Sequence, residues 1–257
     1  MRRIRQKKGT LLGSHQKCWL WGRNTVLETL RAGRWQPVEL RLSEELPVAD
    51  VGAVTELVGT APIPLHRDPV ARLSQLCGSR EHQGYLAKMP EFPYDAPEGV
   101  LAGISANPLC LVLDGIQDPH NFGAVLRSAE VLGVDAVFVG EVRQVDVTSQ
   151  VVRSSAGAVN FVRLSRVSSL PHLLADLKSR GMCVVGASET GSVAPAECDL
   201  KRPTVLVIGN EGTGLSDEVL ALCDQRIAIP QHGRVGSLNA AVAAGILVYE
   251  AKRQRAM

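Results

Sequence analysis

Three stretches of this chain each join a strand-like apolar run to a polar or glycine-rich turn and then to a helix opening. The first, Asp114 to Gly133, carries Asn121 and Arg127; the second, residues 204–222, carries Asn210 and Glu211 inside Gly209-Asn210-Glu211-Gly212-Thr213-Gly214. The third, residues 226–249, carries Ile229 and then Ser237 and Asn239 on either side of Leu238. Amides, a hydroxyl and a carboxylate can orient a polar substrate. A guanidinium can grip a phosphate bidentately and stabilise developing negative charge, but it holds its proton too firmly to serve as a plain general base. The glycine turn lets the backbone approach a ligand closely and offers amides to it. It has neither the Gly-Lys-Ser/Thr of a phosphate loop nor the G-x-G-x-x-G order of a dinucleotide fingerprint, and in isolation it reads as a tight turn.

These groups need elements to position them. Leu109 to Leu113 is continuously apolar, as in a strand buried on both faces, and Asn121 suits a helix N-cap. Phe122, Val125, Leu126, Ala129 and Leu132 recur at helical spacing, and Arg127 falls off that face. Ser216 suits the cap of the second helix, and one of Ser237 and Asn239 the cap of the third. From Leu109 onward strands are expected near 109–113, 135–139, 161–164, 182–186, 204–208 and 226–229 with helices between them. That alternation predicts an α/β fold with a parallel sheet covered on both faces, whose ligands sit beyond the carboxyl ends of the strands.

Residues 19–92 form an earlier unit, with helices expected at Asn24–Ala32, Val51–Val58 and Pro69–Leu76 and strands at Val38–Leu42, Ile63–Leu65 and Gly84–Lys88. Residues 93–108, with Pro93, Pro97 and Pro108, read as a linker, and residues 109–257 as the second domain. Residues 1–18 hold a basic tail (Arg2, Arg3, Arg5, Lys7, Lys8), expected to be disordered or to add sequence-independent attraction to phosphate. The net charge of +2 does not by itself announce a nucleic-acid binder. There is no apolar run of membrane-spanning length and no secretory h-region. The six cysteines (18, 77, 110, 183, 198 and 223) are scattered without C-x-x-C or paired-histidine spacing. That pattern supports neither zinc nor a disulfide framework and suits a reducing cytoplasm. Cys110 and Cys183 lie in strand-like runs and are expected in the core. His66-Arg67-Asp68 imitates a kinase triplet whose companion motifs are missing.

Taken in order, the three motif stretches resemble those of the SPOUT superfamily of RNA methyltransferases. They are most similar to its SpoU family of 2′-O-ribose methyltransferases, and within it to the guanosine-2′-O-methyltransferases of large-subunit ribosomal RNA. Trp21-Gly22 and His82-Gln83-Gly84 extend the resemblance into the first unit. The resemblance implies a trefoil knot in the C-terminal domain, which no periodicity argument could supply, and a ribosomal-protein-like RNA-binding module in residues 19–92. It implies S-adenosyl-L-methionine as cofactor, held by Gly209, Asn210, Gly214, Ile229 and Leu238. Catalysis is assigned to Arg127, Asn121, Glu211, Ser237 and Asn239. It further implies a ribosomal or transfer RNA partner and not DNA, no membrane, and a homodimer; the small-sided run Ala240, Ala241, Ala243, Ala244 and Gly245 reads as close packing inside the domain or, by the resemblance, as the dimer contact. Asn121 could cap its helix or contact the ribose, and Glu211 could orient Arg127 or the ribose or be a solvated turn acid. His120 reads as a hydrogen-bonded turn residue. Ala240-Ala241 in place of the family's usual Val-Ser, and the polar Gln231-His232-Gly233-Arg234, bear on substrate preference and remove no functional group.

Overall fold

The structure, a computed structural model, describes residues 11–12, 18–234 and 236–256. The basic residues from Arg2 to Lys8 lie outside these. In chain order the first elements are β1 (Trp19–Trp21), α1 (Arg23–Ala32), β2 (Glu39–Ser43), α2 (Val48–Val58), β3 (Leu65–Asp68), α3 (Val70–Cys77) and β4 (Tyr85–Lys88). Then come α4 (Pro97–Ala102), β5 (Leu109–Asp114), α5 (Pro119–Val131), β6 (Ala136–Gly140), α6 (Ser149–Ser154), β7 (Leu164–Val167), α7 (Leu170–Ser179) and β8 (Cys183–Ala187). The chain closes with β9 (Thr204–Gly209), α8 (Asp217–Leu222), β10 (Gln225–Ile227) and α9 (Ala240–Arg255).

These elements form two compact units. One runs to Pro93 and takes in Val147–Asn160; the other comprises Tyr94–Asp146 and the chain from Phe161 onward. Residues 147–160, which the sequence pattern places in the second domain, thus group with the first unit. The physical reason is visible at α6, where the Arg153 guanidinium lies 3.6 Å from the centre of the Trp21 ring and 3.4 Å from Glu81, while Asn160 reaches Thr29. The sheet of this unit has the order β1-β4-β2-β3, with β4 antiparallel to both neighbours and β3 parallel to β2. Strand alternation sends Leu40 and Leu42 into the core and leaves Glu39 and Arg41 on the other face. Expected strand 63–65 is shifted to Leu65–Asp68, so Arg67 and Asp68 of the kinase-like triplet are structural. Arg67 donates to the Ser43 and Glu44 carbonyls, and Asp68 accepts from Arg41 at 2.8 Å.

The second unit is built on a six-stranded parallel sheet of order β10-β8-β9-β5-β6-β7. Its central strands β5, β6 and β9 are buried almost throughout, which matches their unbroken apolar runs. Cys110 and Cys183 are core residues as expected. The edge strand expected at 161–164 lies at Leu164–Val167 instead, and the linker contains α4, with Asp95 bridging to Ser165 beside β7. β9 is inserted between β5 and β8, with Asp114 of β5 directly opposite Gly209 of β9. This register brings the turns that follow β5 and β9 side by side at the carboxyl edge of the sheet, where the connectivity changes direction. α9 buries Ala240, Ala241, Ala244, Leu247, Val248 and Ala251 and packs against α5. Its far end is held by Arg255, which donates to the carbonyls of Leu200, Asn107, Pro108 and Arg202.

Candidate functional site

The site grows from helix capping. Asn121 is not the cap of α5: Asp118 is, its Oδ1 accepting the amides of His120 at 2.6 Å and Asn121 at 3.2 Å, with Pro119 at the first helical position. An Asp immediately before a Pro at N1 is the signal that could have placed it. Capping by Asp118 frees the Asn121 side chain. Its Nδ2 donates to Glu211 Oε1 at 2.9 Å, and its Oδ1 accepts from Asn239 Nδ2 at 2.8 Å. Asn239 in turn caps α9, its Oδ1 accepting the amides of Ala241 at 2.9 Å and Val242 at 3.3 Å. The direction of the whole chain of bonds follows from that cap. An Asn239 oxygen committed to backbone amides must turn its NH₂ toward the Asn121 oxygen, which leaves the Asn121 NH₂ for the Glu211 carboxylate. Three segments far apart in sequence are joined by one oriented amide relay.

Glu211 is exposed, and its second oxygen lies 3.4 Å from Asn210 Nδ2. It orients Asn121, while Arg127 is not among its partners. Asn210 is occupied in building the turn. Its Oδ1 accepts the Gly212 and Thr213 amides, its Nδ2 donates to the Gly115 carbonyl at 2.7 Å, and its backbone exchanges two 2.9 Å bonds with Gly214. The turn closes so tightly that a Cβ on Gly209 would stand 2.3 Å from the Gly214 carbonyl carbon, so glycine is required there. Ser216 occupies the N-cap position of α8 without a side-chain bond; its amide donates to Asp114 Oδ2 at 2.7 Å.

Beside this turn lies a cavity of about 450 Å³. Gly209, Asn210, Glu211, Gly214, Ile229, Ser237 and Leu238 all line it, as do Ile208, Ala243 and Leu247 on its apolar side. Its volume suits a small cofactor. Backbone groups of a glycine turn beside apolar side chains fit an adenosine-bearing molecule, whose base needs apolar contact and edge hydrogen bonds. One wall lies outside the three motif stretches, the turn Ser188, Glu189 and Thr190 after β8. The rule that ligands lie beyond strand ends could have found it, since β8 borders β9.

Arg127 stands apart. It is exposed on α5, is absent from the cavity lining, and makes no hydrogen bond or ion pair among the described residues. Six residues beyond Asn121, it projects roughly 120° around the helix from it. His82 lies in the first unit and is 2% exposed; its Nδ1 accepts the Gly84 amide and its Nε2 meets Ser74 Oγ at 3.0 Å. Burial lowers its pKa, so it is a neutral structural histidine. Among the described residues no group of three or more His, Cys, Asp or Glu could hold a metal ion. No described helix is long and apolar enough to cross a membrane.

Known proteins resemble this chain in sequence and in fold. Residues 108–249 match the SpoU rRNA Methylase family. The chain is 33% identical over 245 residues to the putative TrmH family tRNA/rRNA methyltransferase YacO of Bacillus subtilis, covering 94% of this chain and 98% of that one. It is 36% identical over 203 residues to the 23S rRNA (guanosine-2′-O-)-methyltransferase RlmB of Ralstonia nicotianae, covering 79% and 80%. Among solved structures, the SpoU methyltransferase AviRb from Streptomyces viridochromogenes, in complex with the cofactor AdoMet, superposes with a TM-score of 0.78. It shares 28% identity over 94% of this chain and 91% of that one.

Proposed function

This chain belongs to the SpoU rRNA methylase family and is an RNA methyltransferase that uses S-adenosylmethionine; from that premise we propose that it methylates the ribose 2′-hydroxyl of a guanosine in large-subunit ribosomal RNA. The observation that carries the reading is the Asn239–Asn121–Glu211 relay, whose Glu211 end lines the cavity. It sets an exposed carboxylate, oriented by the Asn121 amide, on the wall of a cofactor-sized space. The bound cofactor supplies an electrophilic methyl on a sulfonium, whose bond to sulfur breaks as the bond to the 2′-oxygen forms, leaving a neutral thioether. The protein must align the two atoms and draw off the hydroxyl proton. Gly209, Gly214, Ile229 and Leu238 hold the cofactor through backbone and apolar contacts. Asn121 and Glu211 orient the ribose hydroxyl, with Ser237 facing it from the cavity wall. Arg127 grips the neighbouring phosphate and stabilises negative charge on the oxygen as the proton leaves.

Arg127 reaches such a substrate if a second copy of the chain brings it there, and the surface of α9 supports a homodimer. The small residues expected at a dimer contact lie largely inside, with Ala240, Ala241 and Ala244 buried. The outward face instead carries Val242, Ile246 and Tyr249, which are 50%, 39% and 60% exposed at helical spacing. The trefoil knot, an RNA-binding role for the first unit and a reducing cytoplasmic setting for six free cysteines belong to the same reading. The test is transfer of labelled methyl from S-adenosylmethionine to unmodified ribosomal and transfer RNA, followed by nucleoside mass spectrometry. The expected product is 2′-O-methylguanosine in large-subunit RNA. Product confined to transfer RNA would move the substrate and keep the chemistry. Product at a base atom would overturn the site assignment.

A further inference from the structure

Among the described residues the cavity is lined by three carboxylates, Glu189, Glu211 and Asp217, and by no lysine, arginine or histidine. None of the three forms an ion pair with a basic side chain among the described residues. Glu211 is engaged with Asn121, whereas Glu189 and Asp217 have no such assignment. Glu189 sits on a wall held firmly in place. Ser188 donates its amide to the Ile227 carbonyl at 3.0 Å, Ala228 returns a bond to Val193, and the Ser188 and Thr190 hydroxyls meet at 3.1 Å. Gly191 lets the turn press against β10, since a Cβ there would stand 2.5 Å from the Ile227 carbonyl carbon. Asp217 opens α8 on another part of the wall. Methyl transfer changes the charge of the occupant. S-adenosylmethionine carries one net positive charge, and its demethylated product carries none, the proton released from the ribose going to solvent.

We propose that Glu189, assisted by Asp217, makes this cavity selective for the charge of the cofactor, favouring the cationic methyl donor over the neutral S-adenosylhomocysteine that remains after transfer. This rests on the methyltransferase reading and adds to it two specificity-determining residues and a reason for product to leave. Both carboxylates are solvent-accessible, so each contributes a modest, screened attraction, roughly a three- to tenfold preference at low salt.

The test is titration calorimetry on the full-length chain with S-adenosylmethionine, S-adenosylhomocysteine and sinefungin, whose amine places a positive charge near the position of the sulfonium. In the native chain both cationic ligands should bind more tightly than S-adenosylhomocysteine, and about 0.5 M salt should compress the difference. Glu189→Gln should reduce the preference roughly three- to tenfold and Asp217→Asn by less, with the affinity for S-adenosylhomocysteine nearly unchanged. Equal affinity for all three ligands in the native chain would overturn the proposal. So would an equal loss for all three in Glu189→Gln, which would mark Glu189 as a contact to a part that they share. If none of them binds the native chain, the cofactor reading itself falls, and that result is distinct from the other two.

Discussion

The polar motifs of the two units are similar in residue type and behave differently in the fold. In the first unit the polar groups are consumed by the protein. His82 uses one ring nitrogen on the Gly84 amide and the other on Ser74, and Arg67 is committed to the carbonyls of Ser43 and Glu44. In the second unit the polar groups on α5 and the Glu211 they meet are oriented but not exhausted. Asn121 is aimed by Asn239 and Glu211, Glu211 remains exposed, and Arg127 has no partner among the described residues. A polar side chain whose bonds all go to its own protein stabilises a fold. One that is aimed by its neighbours and still open to solvent is available to a ligand.

The sharpest way to break this contrast is at Gly209. Gly209→Ala should abolish measurable binding of S-adenosylmethionine by calorimetry and destabilise the chain by about 2–3 kcal/mol, because the added Cβ meets the Gly214 carbonyl group at 2.3 to 2.5 Å. Unchanged affinity would show that the turn opens without consequence. Next comes Arg127→Lys, which should lower single-turnover methyl transfer about a hundredfold and leave cofactor affinity within twofold. Turnover close to the native rate would remove Arg127 from the chemistry. In the first unit the pattern should invert: His82→Ala should cost about 2 kcal/mol in urea unfolding by stranding the Gly84 amide and Ser74, with cofactor affinity unchanged.

The smallest effect concerns buried thiols. Burial pushes Cys110 up to about 12 and Cys198 to about 11 from the ordinary 9.0. Raised thiol values mean that the unfolded chain releases protons first. Their contribution to stability is therefore full below about pH 9 and is lost as pH rises toward 12. Stability measured between pH 9 and 10.5 should fall less steeply in Cys110→Ala than in the native chain, and an identical slope would refute the assignment.

The sheet and the motif turns were legible from the sequence because they rest on local signals. The unbroken apolar runs of β5 and β9 mark strands buried on both faces, and the glycine turn after β9 is explicit. Expectations drifted where the pattern was ambiguous. β7 lies three residues beyond its expected start, and Asp118 took the cap assigned to Asn121 because both residues are competent caps a turn apart. The grouping of residues 147–160 with the first unit rests on Arg153 stacking on Trp21, a pairing across more than a hundred residues that no local window contains.

By itself the sequence determined which residues could do chemistry, that parallel strands must carry them, and which family they resemble, because residue type and periodicity are properties of short windows. Only the tertiary structure decided that β9 lies between β5 and β8, with Asp114 opposite Gly209. That register brings Asn121 beside Glu211, while the Asn239 cap of α9 gives the relay its direction and the turn of α5 leaves Arg127 facing away from it. Strand order is chosen by the burial of whole sheet faces against helices, a sum over the domain that no single stretch of chain encodes.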